Sequence, residues 1–370
     1  MTAFSIDRSE LDSLFQALKK RGYEVVGPTL QDQAIVYDYI ESSAELPVGM
    51  SDEQEAGSYR LKKRSDGALF AYAVGPHAWK KFLHPSHQRL WTVKKQKGDL
   101  QFISEKPNSI RYAFIGVRAC DIAAMQVQDK VFLSGTEKNY FYKELRENTF
   151  IVGVNCSHAV STCFCTSMQT GPKLLSGFDL SLTELIENER HIFLLKCGSK
   201  KGEEVLQELS YDQAKPAEQE AAQKLIENTS QQINKNLDVS NIQELFYQNY
   251  EHSHWEDVAE RCLSCANCTM VCPTCFCTTV EDVSDLSGDH SERWQKWDSC
   301  FSLDFSYTHG TGPRRSSIKS RYRQWLTHKL ATWIDQFGSS GCVGCGRCIT
   351  WCPVGIDLTQ EVAALRGIQK

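Results

Sequence analysis

Eight of the sixteen cysteines fall into two runs of identical spacing. Cys262, Cys265, Cys268 and Cys272 follow C-x2-C-x2-C-x3-C, and Pro273 comes next; Cys342, Cys345, Cys348 and Cys352 repeat the pattern ahead of Pro353. This is the run with which bacterial ferredoxins hold 4Fe-4S clusters, three cysteines on one cubane and the fourth on its neighbour. Three thiolates two residues apart lie on a tight loop that wraps one corner of a cube and turns backbone N–H groups toward the sulfurs. The fourth sits a turn later and points away. The expected ligand sets are therefore crossed: Cys262, Cys265, Cys268 and Cys352 for a first cluster, Cys342, Cys345, Cys348 and Cys272 for a second. Crossing brings the two clusters close, as electron hopping needs, and ties together segments separated by a long insert. Structural zinc also takes four thiolates, but as two separated C-x2-C pairs, which these runs fit poorly.

The remaining cysteines are less regular. Cys120 follows a predicted strand in GVRACD, and Cys156, Cys163 and Cys165 follow another in NCSHAVSTCFCTSM. In an extended C-x-C both sulfurs point to one face, as two ligands would. A third cluster held by Cys120, Cys156, Cys163 and Cys165 is one reading. A site shared by the two TCFC segments is its rival, which would draw on Cys275 and Cys277, with Cys300 of WDSC as a further candidate. Against both stands ordinary burial, since a free cysteine is a small apolar side chain. Cys197, alone on a strand, and the pairs His84/His87 and His252/His254 are read as structural.

The elements around these motifs give an α+β chain. Leu11, Leu14, Phe15 and Leu18 recur at helical spacing and Gly22 ends that helix. Strands are expected at 33–40, 68–74, 112–117, 150–154 and 191–195, a helix at 121–131, and a loop at 157–172. Polar helices are expected at 212–227 and 242–261. The weakly patterned segment 228–240 sets the boundary between an α/β domain, residues 1–230, and a helical, dicluster-ferredoxin-like domain with a long insert, residues 231–370. In the insert Ile318, Tyr322, Trp325, Leu326, Trp333, Ile334 and Phe337 share a helical face, capped by Ser316 or Ser317 and ended by Gly338. Trp294, Trp297, Tyr307, Trp325 and Trp333 are expected to wrap the clusters in apolar surface. Arg314, Arg315, Lys319, Arg321, Arg323 and Lys329 fall on the polar side of the long helix. Their expected place is in solvent, the alternatives being a docking surface or positive charge that raises a cluster's potential.

Composition narrows the function. A net charge of -5 gives no footprint for nucleic acid. No apolar run approaches the ~20 residues that span a bilayer, and the N-terminal segment has no apolar signal core, so a cytoplasmic protein without membrane insertion is expected. In a reducing compartment, cysteines are used for metal sooner than for disulfides. There is no G-x-G-x-x-G after a predicted strand, no Walker loop, no serine–histidine constellation, and no paired C-x2-C groups for a nickel-iron site. No catalytic residue is expected in this chain.

These motifs together resemble the iron-sulfur beta subunits of cytoplasmic NAD(P)-linked nickel-iron hydrogenases, or sulfhydrogenases, and more broadly the A subunit of anaerobic sulfite reductases. The resemblance is carried by GVRACD, TCFCTSMQTGP with GFDLSLTEL, RCLSCANCTMVCPTCFC, RWQKWDSCFSLDFSYTHG, SRYRQWLTHKL and SGCVGCGRCITWCPVGID. It implies a non-catalytic electron-transfer subunit with two 4Fe-4S clusters and room for a third. The implied partners are a hydrogenase large subunit, a small subunit, and a subunit that binds FAD and NAD(P). Electron transfer in a sulfite or polysulfide reductase is the alternative within the class; a zinc-stabilised assembly scaffold is the alternative outside it.

Overall fold

The computed structural model describes residues 2–107, 109–187 and 190–367. Its largest sheet has eight strands in the order Asp212–Gln213, Phe4–Asp7, Arg190–Cys197, Leu180–Glu187, Phe150–Val154, Tyr112–Val117, Glu24–Gln31, Ala34–Tyr39. The four from Leu180–Glu187 to Glu24–Gln31 run parallel. The flanking pairs are antiparallel. Tyr112–Val117 and Phe150–Val154 are buried at every position, as parallel strands covered on both faces must be. Ala113 and Ile115 face the core built on helix Leu11–Lys20, whereas Phe114 and Val117 face helix Ala119–Leu133.

Parallel neighbours end on the same side of a sheet, and this edge is where open α/β sheets place ligands. The chain leaving Val117 and the chain leaving Val154 thus emerge together, carrying Cys120 and Cys156 to one place.

The segment 68–74, expected as a strand, is buried but irregular. Its backbone polar groups are taken by side chains where a ladder would take them in a sheet. The Glu184 carboxylate accepts from Leu69 N at 2.6 Å and Phe70 N at 2.8 Å, and Asp52 accepts from Ala73 N at 2.8 Å. Arg118 donates to the carbonyls of Phe70 and Tyr72 at 2.7 and 3.0 Å.

The expected polar helices are present with shifted ends: Pro216–Gln232, then Ile242–Gln248 and His254–Arg261 as two helices. The insert also holds a hairpin, Thr278–Ser284 with His290–Trp297. The second strand pairs with His87–Gln96, so strands from the two halves of the chain share one four-stranded sheet. Every residue of HSERWQKW is half-buried, which removes the alternation that would have announced a strand.

The aromatic helix of the insert is not continuous. It runs Ile318–Thr327, widens into a π turn at His328–Thr332, and resumes at Trp333–Phe337. Ser317 Oγ caps its start by accepting from Ser320 N at 3.1 Å, and Gly338 ends it with φ 66°. Trp325 and Trp333 are buried, whereas Tyr307 is 57% exposed and takes no part in a wrapper. Arg321, Arg323 and Lys329 depart from the solvent-facing expectation, for all three are buried. Among the described residues no helix is long and apolar enough to cross a membrane.

Candidate metal centre

The two cysteine runs fold alike. Each three-cysteine loop passes through left-handed backbone twice, at Ser264 and Ala266 in the first and at Gly344 and Gly346 in the second. Each ends in a short helix that carries its third cysteine, Asn267–Met270 or Arg347–Thr350. Those turns aim backbone N–H groups at sulfur: Ser264 N donates to Cys262 Sγ at 3.4 Å and Gly344 N to Cys342 Sγ at 3.5 Å.

Cys262, Cys265, Cys268, Cys348 and Cys352 line one cavity, walled by Phe301, Tyr322, Trp325, Ile356 and Leu358. The Cys268 thiol is pushed well above its ordinary value, by burial first and then by Cys262, Cys352 and Cys265. Cys265 is exposed, beside Leu263 at 63% and Val354 at 41%, so this pocket has one corner in solvent. Cys272 leaves this loop for the other. Its sulfur lies 3.1 Å from Thr274 Oγ1, which donates to Gly341 O at 2.7 Å, immediately before Cys342. Burial pushes Cys348 well up, followed by the charges of Cys342, Cys345 and Cys272. The first cysteine of each loop thus lies near the last cysteine of the other motif, Cys262 by Cys352 and Cys342 by Cys272.

Among the described residues no three His, Cys, Asp or Glu side chains converge tightly enough to hold a single ion; the ligands of a cubane stand apart at separate corners. The donor sets fit that group, being all thiols in apolar pockets with N–H groups turned to sulfur. A further observation agrees. The Tyr322 hydroxyl and Trp325 Nε1 are buried without a hydrogen-bond partner among the described residues, and both side chains line the first cavity. Sulfur of a cluster held in that cavity would offer such groups an acceptor.

A third set of thiols lies at the sheet edge. Burial raises Cys165, followed by Cys163, Cys156 and Cys345; burial raises Cys120 well up, followed by Asp121, Cys345 and Cys165. Cys163 is pushed up to about 12, mainly by burial. Cys120, Cys156, Cys163 and Cys165 are thus neighbours, and Cys345 of the second loop adjoins them. The 162–165 segment packs directly on that loop: Phe164 N donates to Gly344 O at 2.9 Å, and Thr170 Oγ1 to Val343 O at 2.6 Å. Arg347, fully buried between Cys345 and Cys348, pairs with buried Asp121 at 2.8 Å and donates to the carbonyls of Gly75 and His77 at 3.1 Å.

Cys275 adjoins Cys272, while Cys300 hydrogen-bonds Cys277. That bond, with the Lys329 ammonium nearby, brings Cys277 down to about 7. Cys197 lies at the end of its strand, packed against the sheet core. His84 is buried and brought down to about 4 by burial and then Lys80; His254 pairs with Glu361 at 2.6 Å.

Two lysines reach the surroundings of Cys272: Lys329, a member of the basic run, and Lys80, which carries no signal readable in sequence. Lys80, from the helix Lys80–Leu83 of the N-terminal half, is buried and donates to Cys275 O at 3.2 Å. Lys329 donates to Cys272 Sγ at 3.2 Å.

Fold and site define a dicluster iron-sulfur protein, an electron carrier. Residues 261–356 match the model of the 4Fe-4S dicluster domain. The chain is 30% identical over 289 residues to sulfhydrogenase 2 subunit beta of Pyrococcus furiosus, covering 78% of this chain and 82% of that protein. The chain belongs to the family of sulfhydrogenase iron-sulfur beta subunits. No solved structure matches it.

Proposed function

We propose that the chain is the electron-transfer subunit of a cytoplasmic hydrogenase complex. It passes single electrons between an H2-activating module, of large and small subunits, and a module that binds flavin and NAD(P). Cys262, Cys265, Cys268 and Cys352 hold a first 4Fe-4S cluster and Cys342, Cys345, Cys348 and Cys272 a second. Cys120, Cys156, Cys163 and Cys165 hold a third. Each cluster, when bound, accepts and returns one electron. The side chains around them exclude water, supply hydrogen bonds to sulfur, and fix the spacing between sites. Residues 1–230 and 231–370 are the two folding units, joined through Arg347 and Asp121.

The observation that carries this reading is the exchange of fourth cysteines: Cys352 closes the cavity of Cys262, Cys265 and Cys268, while Cys272 is pinned through Thr274 to Gly341. The name of the Pyrococcus furiosus relative supports the hydrogenase setting. Metal analysis of protein prepared without oxygen tests it. Iron and acid-labile sulfide are expected in equal amounts, about twelve of each with three clusters and about eight with two. Zinc without sulfide would overturn the electron-transfer role. Co-purification with large, small and flavin subunits tests the assembly.

A further inference from the structure

We propose that Lys329, assisted by Lys80, raises the reduction potential of the second ferredoxin cluster and so keeps a deeply buried site open to electrons. This rests on the assignment of Cys272, Cys342, Cys345 and Cys348 to that cluster.

Lys329 lies in the π turn His328–Thr332, and its side chain is directed inward from a helix whose polar side carries other basic residues. Single π turns in α-helices often mark functional sites. The Lys329 ammonium donates to Cys272 Sγ at 3.2 Å, Thr274 Oγ1 at 3.0 Å, Gly341 O at 3.3 Å and Cys275 Sγ at 3.7 Å. Lys80 arrives from the other half of the chain. It donates to Thr269 O at 3.3 Å and Cys275 O at 3.2 Å, and lies over the Trp297 ring at 4.2 Å. The sulfurs that face Lys329 are those of Cys272, Cys275 and Cys342; those that face Lys80 are Cys275, Cys272 and Cys277, with Lys329 as a like charge beside it, and burial brings Lys80 down. A buried cation needs a compensating anion. Here sulfur is what the pocket offers.

Reduction adds one negative charge to a cluster, and burial away from water opposes that charge. A fixed ammonium in hydrogen-bond contact with a ligand sulfur favours it, and hydrogen bonds to sulfur are one of the established controls of cluster potential. The first pocket is arranged otherwise. Its nearby cation, Arg321, stops at Ser264 Oγ, 3.1 Å away, and its Cys265 corner meets solvent. The second pocket's other cation, Arg347, is already paired with Asp121. Water serves one site and lysine the other. An electron could then pass between the two clusters with no proton or atom transferred.

The test is a redox titration of the anaerobically purified chain, followed by electron paramagnetic resonance, with iron and sulfide measured on the same samples. In Lys329→Met the second cluster's midpoint is expected to fall by at least about 59 mV, a tenfold change in its oxidised-to-reduced ratio, with the first cluster unmoved. Lys329→Arg should recover most of the shift. An unchanged midpoint, or an equal shift at both clusters, overturns the proposal. Should Lys329→Met lose the second cluster, Lys80→Met decides: it touches no ligand sulfur, and a fall confined to the second cluster supports the proposal while no fall overturns it. Wild-type protein without sulfide would remove the ligand assignment itself, which the iron and sulfide values register separately from any shift.

Discussion

Ser264 and Ala266 occupy in the first loop the left-handed positions that Gly344 and Gly346 occupy in the second. The backbone demand is the same, so the difference lies in what stands over each loop. A Cβ on Gly344 would come within 2.6 Å of Phe164 O and 2.7 Å of Cys165 Cα; one on Gly346 would come within 2.4 Å of Thr162 O. The second loop is roofed by the TCFC segment of the N-terminal half, and only glycine leaves room for it. The first loop has no such roof, and its Cys265 reaches solvent. One cysteine pattern therefore stands once as an outward-facing loop and once as an inner junction packed against the third thiol group, and the glycines record which is which.

Exchange of the fourth cysteines gives the largest expected effect. Cys272→Ser should remove the cluster whose other ligands are Cys342, Cys345 and Cys348. Cys352→Ser should remove the one belonging to Cys262, Cys265 and Cys268. Paramagnetic resonance of the reduced proteins distinguishes the two losses; Cys272→Ser damage confined to the first signal would break the crossing. Next comes Arg347→Met. It leaves Asp121 buried and unpaired, and loss of one partner from a buried ion pair costs roughly 3–5 kcal/mol. Denaturant unfolding should show a loss of that size, with earlier proteolysis at the junction of the two halves. Arg321→Met, near the first loop but with no carboxylate partner at its guanidinium among the described residues, is the comparison, and an equal loss there would remove Arg347's special place.

The sequence made the eight ferredoxin cysteines readable because their chemistry is local: ligand spacing, the following proline and the loop between them lie within about a dozen residues. Cys120 and Cys156 were readable as cysteines that each follow a strand; that these strands are parallel and end together is set by the sheet, not by local pattern. Other parts depended on distant partners. The run 68–74 has strand composition, but Glu184, Asp52 and Arg118 satisfy its backbone, and none of these is near it in sequence. The hairpin in the insert finds its sheet partner at His87–Gln96, roughly two hundred residues earlier. Lys329 looked like one more member of a basic helical face. Its burial follows from packing of the insert over Cys272 and from the π turn, neither of which residue types at helical spacing reveal.

The smallest expected effects compare the loops directly. Gly344→Ala forces a side chain into left-handed backbone, which costs about 1–2 kcal/mol, and adds a collision with backbone that has nowhere to go. The converse, Ala266→Gly in the first loop, should be nearly silent. It relieves that same left-handed cost, but loses a partly buried methyl worth about 0.8 kcal/mol and adds chain entropy of roughly 0.5–1 kcal/mol to the unfolded state. The opposing terms leave Ala266→Gly within about 1 kcal/mol of the wild type by denaturant unfolding. Gly344→Ala should exceed it clearly and also weaken the contact between Phe164 and the second loop, read as faster amide exchange at Phe164. Equal responses at the two positions would mean that the TCFC roof does not set the choice of glycine, and the second loop would lose its standing as the inner junction.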